Sequence, residues 1–176
     1  MKIIFLDIDG VLNCENWYKK RFIQEIDRNM DSYPLCEFYP LAVDQLNVLT
    51  KKTNAEIVVS STWRIGRTVA ELNSIFKQVG IEKDILDFTP SLRGVPRGVE
   101  IKKWIDTYCI QDTDRLFNKK GGIKLESYVI LDDDSDMLLE QKDNFIKTSW
   151  QDGLTAIQVN KAIYILNNET NRTKRT

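Results

Sequence analysis

Lys2-Ile3-Ile4-Phe5-Leu6-Asp7-Ile8-Asp9-Gly10-Val11-Leu12 decides the fold. Four apolar residues follow Lys2 and run into two carboxylates one residue apart, then a glycine. An unbroken apolar run of this length fits a strand buried on both faces, as in a parallel sheet. Two like charges so close repel unless a cation sits between them or one keeps its proton. Open α/β sheets bind ligands beyond the carboxyl ends of their strands. The stretch therefore predicts a divalent-metal and phosphate site at the tip of the first strand. The plainer alternative is an Asp-Gly turn.

Outward from it, apolar runs alternate with segments of helical spacing. Residues 55–59 and 128–131 read as further buried strands, with short strands at 84–89 and 144–148. Helices are predicted near 19–26, at 41–52, at 68–79 with Gly80 as the stop, at 98–110, and from Thr155 as N-cap to about 167. Residues 111–124 read as a polar loop, and 168–176 as a polar tail prone to disorder. Strand–helix alternation without repeat or linker predicts one α/β domain over 1–167, Rossmann-like, with a central parallel sheet flanked by helices.

Composition narrows the chemistry. The chain has 176 residues and no histidine, which removes Ser-His-Asp and Cys-His catalysis and His-ligated zinc. Acid–base work falls to carboxylates, lysines or tyrosines. A net charge of −1 gives no global attraction to nucleic acid or membrane. Cys14, Cys36 and Cys109 are odd in number and lack metal-like spacing, which points to a reducing, cytoplasmic setting. The first apolar run is too short for a signal peptide, and no segment is long enough to span a bilayer. No obligate protein partner is evident.

Three strands end in polar residues of a definite kind: Asp7 and Asp9, then Ser60 and Ser61, then Asp132 and Asp133. In a parallel sheet these ends share one edge and can converge. Carboxylates from two strands make an all-oxygen site suited to Mg²⁺ rather than zinc or copper. The 132–136 run imitates the spacing of a calcium loop, but Met137 stands where glycine is needed and Asp143 where glutamate is. Asp134 and Asp136 read instead as solvated or helix-capping residues.

Asp7-x-Asp9-Gly10-Val11-Leu12, the strand ending in Ser60 and the strand ending in Asp132-Asp133 together resemble motifs I, II and IV of the haloacid dehalogenase (HAD) superfamily. The wording Val58-Val59-Ser60-Ser61-Thr62-Trp63-Arg64, Arg97-Gly98-Val99-Glu100-Ile101 and Leu131-Asp132-Asp133-Asp134 is similar to HAD domains of "Swiss Army knife" RNA-repair proteins. The resemblance implies a Mg²⁺-dependent phosphatase. Asp7 would attack phosphorus and form an aspartyl-phosphate. Asp9 would move the proton and ligate Mg²⁺ through its backbone carbonyl. Ser60 and Ser61 would bind the phosphoryl group, and Asp132 and Asp133 would complete the metal site.

The family's third motif is a basic residue near a helix N-terminus. Arg97 is the candidate, with Lys102 next, and Arg64 is assigned to a second phosphate or the substrate. Trp63 is assigned to the core rather than the pocket mouth. Lys19-Lys20-Arg21 and Lys119-Lys120 read as solvated clusters that could meet a nucleic-acid backbone. Residues 13–40 offer only a flap or minimal cap, which resembles capless members that act on macromolecules. The expected partner is a phosphorylated substrate, a nucleic-acid end or a nucleotide. The alternatives are a small-metabolite phosphatase and a non-catalytic phosphate- or partner-binding module on the same fold. A response-regulator receiver is set aside, because its phosphorylated Asp would follow a later strand.

Overall fold

Side chains of β1 (Lys2–Leu6) leave in alternate directions and find a core on each side. Ile4 and Leu6 join one core, and Ile3 and Phe5 the other. That explains why the strand is apolar without alternation. The computed structural model describes residues 1–23, 33–109 and 122–168. These form one α/β domain with a five-stranded, all-parallel sheet of order β3-β2-β1-β4-β5. The other strands are β2 (Glu56–Val59), β3 (Ile85–Phe88), β4 (Ser127–Asp132) and β5 (Phe145–Lys147).

The helices are α1 (Glu15–Ile23), α2 (Pro40–Thr53), α3 (Val69–Gln78), α4 (Arg97–Tyr108) and α5 (Ala156–Asn168). Leu46 and Leu49 of α2, Leu72 and Phe76 of α3, and Val159, Ala162 and Leu166 of α5 cover one face of the sheet. Ile101 and Trp104 of α4 cover the other, where Trp104 meets Phe5 edge-on at 5.5 Å. Local sequence sets the bounds of α2 and α3. Asn54 takes a left-handed conformation and closes α2 on Thr50. A Thr68–Glu71 capping box opens α3, and Gly80 at φ +91° releases the chain after it.

The order of the strands places the site. The chain winds outward from β1 to β3, then returns to start the other half at β4. The crevice between β1 and β4 is thus the switch point at which such sheets bind ligands.

Some boundaries differ from the sequence expectation. Helix α1 starts at Glu15 instead of 19, because the Cys14 carbonyl already accepts from Trp17 and Tyr18. Helix α4 starts at Arg97, one residue early, and ends at Tyr108 instead of 110. Three short 3₁₀ turns, Leu35–Glu37, Thr62–Arg64 and Leu139–Gln141, carry no apolar period and went unpredicted. Lys119-Lys120, most of the 111–124 loop and the tail from 169 lie outside the described residues. No helix among those described is long and apolar enough to cross a membrane.

Candidate active site

Backbone hydrogen bonds carry the sheet one residue past its strands. Asp7 donates to Leu131 (3.0 Å), Ser60 to Leu6 (2.9 Å), Thr89 to Val59 (3.0 Å) and Thr148 to Asp132 (2.9 Å). Asp7, Ser60, Thr89, Asp132 and Thr148 therefore stand in a row along the carboxyl edge. Among the described residues, four buried side-chain atoms lack a hydrogen-bond partner: Ser60 Oγ, Thr89 Oγ1, Asp132 Oδ2 and Thr148 Oγ1. All four belong to that row. Such atoms are rare, since each forfeits its hydration without return. Their gathering on one edge marks a place built for something else to bind.

Asp7, Asp132 and Asp133 each place a carboxylate oxygen within 4.8 Å of the others. Burial lifts the pKa of Asp7 to about 6, against hydrogen bonding from Ser61 and the charge of Arg97. Burial, then the charge of Asp7, lifts Asp132 to about 7. Asp133 is also raised, chiefly by burial. One Asp132 oxygen accepts the Asp134 N–H at 2.9 Å and the other is the orphaned Oδ2. An all-oxygen cluster of crowded carboxylates with a spare buried oxygen fits a hard divalent cation such as Mg²⁺. The space for Asp133 comes from Gly10, where a built Cβ would fall 2.3 Å from the Asp133 Cγ. Gly10 also sits at φ +69°, so two constraints demand glycine there.

Asp9 keeps its carboxylate outside this cluster. Trp63 Nε1 donates to both its oxygens (3.0 and 3.1 Å), and Asn13 Nδ2 donates to Oδ1 at 2.8 Å. Asn13 in turn accepts the Gly10 N–H at 2.9 Å, which ties the loop after β1 to the residue it carries. The core placement expected for Trp63 holds in part: the ring packs against the core while its N–H faces the site. The ring is half-buried, meets Phe38 edge-on at 5.2 Å, and holds Asp9. Neither Asn13 nor Trp63 was singled out as an Asp9 partner. Their positions, three residues after Gly10 and two after Ser61, were the only signal.

The basic residues separate clearly. Arg97 opens α4 and reaches into the site, with Nε 3.7 Å from Asp132 Oδ2. Lys102 lies on the exposed side of α4, bonded to Asp106 at 2.8 Å. Arg64, read from the sequence as a contact for a second phosphate or the substrate, is engaged by the protein itself. It is buried and spends its donors on the carbonyls of Thr89 (2.9 Å), Pro90 (3.2 Å) and Ser61, and on Glu100 Oε2 at 2.6 Å. It braces the ends of β2 and β3 against α4. Glu100, a buried carboxylate three residues after Arg97, bridges the two arginines, with Arg97 at 3.8 Å. Asp136 does cap a helix, but a distant one: its Oδ2 accepts the Arg97 N–H at 2.7 Å. In the basic cluster on α1, Lys19 pairs with Glu15 and Arg21 is buried against Glu37.

A family model for the HAD domain in Swiss Army Knife RNA repair proteins matches residues 3–159. No curated protein and no solved structure matches the chain.

Proposed function

The chain belongs to the family of HAD domains found in Swiss Army Knife RNA repair proteins, and from that membership we propose that it is a Mg²⁺-dependent phosphomonoester hydrolase acting on nucleic-acid ends or nucleotides. The observation that carries this reading is the pair of orphaned buried atoms beside Asp7: Ser60 Oγ on one neighbouring strand and Asp132 Oδ2 on the other. One is a donor suited to a phosphoryl oxygen, the other an acceptor suited to a cation.

In this reading Asp7 attacks phosphorus and forms an aspartyl-phosphate, while Asp9 gives its proton to the leaving oxygen. Asp9 then takes a proton from the water that attacks the same phosphorus, and Asp7 is freed. Ser60 donates to a phosphoryl oxygen, Ser61 turns its hydroxyl from Asp7 to a second one when the phosphate binds, and Arg97 balances their charge. Trp63 and Asn13 hold Asp9 on the leaving-group side. Asp7, Asp132 and Asp133 would hold Mg²⁺, together with the Asp9 carbonyl; when bound, the ion offsets the repulsion between Asp7 and the phosphate. In the segment read as a flap, Trp17 stacks on Tyr39 at 5.4 Å and donates to the Cys36 carbonyl.

The test measures phosphate release from an aryl phosphate, mononucleotides and a 3′-phosphorylated oligonucleotide, with Mg²⁺ and with chelator. Asp7→Asn runs alongside. Release that needs Mg²⁺ and disappears in Asp7→Asn is expected. No turnover of any substrate by the wild type would sink the enzyme reading. Turnover of the aryl phosphate alone would sink the substrate class.

A further inference from the structure

One exposed aromatic side chain stands at the rim of the site. Trp150 follows β5 and keeps 47% of its surface open. Its loop is fixed to the site on both sides. Thr148, two residues earlier, donates to the Asp132 carbonyl (2.9 Å), and Leu154 donates to the Val11 carbonyl (2.8 Å). The Trp150 carbonyl accepts from Glu15 (2.8 Å), and that of Gln151 accepts from Asn16 (3.1 Å). Trp150 is thus held between the segment that follows Asp9 and the end of β4.

The ring leans on Tyr18, with centroids 5.8 Å apart and planes at 40°. Tyr18 is itself held in place. The Arg21 guanidinium lies 5.6 Å from its ring centroid, and Glu37, paired with Arg21 at 3.3 Å, takes the hydrogen bond of its hydroxyl. Tyr18 belongs to α1, the helix that opens six residues after Asp9 and whose first N–H donates to the Trp150 carbonyl. A lone surface tryptophan is ordinary. A tryptophan braced on a tyrosine that is itself held by a cation, on a loop tied to the segment after Asp9 and to the end of β4, is a prepared surface.

Given the phosphatase reading, on which this step rests, we propose that Trp150, backed by Tyr18 and Arg21, is a stacking platform for the heterocyclic base of the nucleoside phosphate. With phosphorus at Asp7 and the leaving oxygen at Asp9, the sugar and base extend outward past Asp9 to this ring. Every nucleobase has a π-face, so an indole accepts it without regard to sequence, and the cation behind Tyr18 strengthens the stack. The base can come from a free nucleotide or from the end of a strand.

The test uses Asp7→Asn protein, so that ligands are not consumed, titrated by calorimetry with a nucleoside monophosphate, with ribose phosphate and with a 3′-phosphorylated oligonucleotide. Adding Trp150→Ala is expected to weaken the nucleoside monophosphate and the oligonucleotide by about 5- to 150-fold. Ribose phosphate should bind as before, and Trp150→Phe should restore most of the loss. A loss confined to the oligonucleotide assigns the base to a polynucleotide, and a loss in both arms assigns it to the reacting nucleotide. An equal loss for ribose phosphate, or no loss at all, overturns the platform. Hydrolysis of ribose phosphate by the wild type reads the phosphatase separately, so either conclusion can fall while the other stands.

Discussion

Asp132→Asn should make the metal-free protein more stable while removing its response to Mg²⁺. The Asp132 carboxyl titrates near 7 in the folded chain instead of 3.8, so the fold prefers it neutral. A raised carboxyl contributes most below the ordinary value, and that contribution is lost as pH rises through about 7. At pH 8 the three-unit difference corresponds to about 4 kcal/mol against the folded state. Part of it is repulsion shared with Asp7, and a buried amide carries its own desolvation. The net gain for the variant is then about 1–3 kcal/mol, or a melting shift of about 3–10 °C for a chain of this size. Asparagine keeps the oxygen that accepts the Asp134 N–H, so the loop after β4 stays capped. The assay is thermal unfolding at pH 8 in chelator and in millimolar Mg²⁺. Wild type should melt lower than the variant in chelator and rise with Mg²⁺, and the variant should ignore the ion. A variant that melts below wild type in chelator, or that gains equally from Mg²⁺, refutes the reasoning.

Trp63→Phe keeps the ring against Phe38 but removes the indole N–H from Asp9. It should lower kcat by about tenfold or more with little change in KM, as steady-state kinetics would show. Glu100→Gln leaves Arg64 buried without its charge partner and should cost about 3–5 kcal/mol in urea unfolding. Arg64→Met combined with Glu100→Leu should recover much of that loss; a double variant as unstable as the single would count against the pair as the cause. Gly10→Ala pushes a methyl into Asp133 and strains a left-handed turn. Its Mg²⁺ affinity, read by the melting shift on titration, should fall about 10- to 100-fold, and an unchanged midpoint would exclude the contact.

The parts of the fold legible in the sequence were those with a local physical signature. Buried parallel strands must be apolar on both faces, so 2–6, 55–59 and 128–131 declared themselves, and the polar residues at their ends stood out by contrast. Arg97 was legible because it stands at the start of a predicted helix, where the resembled family carries a basic residue. What was not legible depends on side-chain direction after folding. Arg64 and Arg97 look alike in the sequence, yet one turns to three carbonyls and Glu100 and the other turns toward Asp132. Trp63 packs on the core as assigned, but that its single N–H reaches Asp9 was not legible. Asp136 caps a helix that begins 39 residues earlier, a pairing that no local pattern records.

The row of residues at the carboxyl edge has a practical consequence. Leu6 pairs with Val59 on one side and with Leu131 on the other, and that pairing alone brings Asp7 level with Ser60 and Asp132. Slipping β1 by one residue would point its side chains to opposite faces and break the row. Under the proposed phosphatase activity, turnover per mole of protein is therefore a gauge of strand alignment. A preparation that is helical and monodisperse but misaligned would be catalytically silent, so specific activity can grade refolded material where spectra of secondary structure cannot.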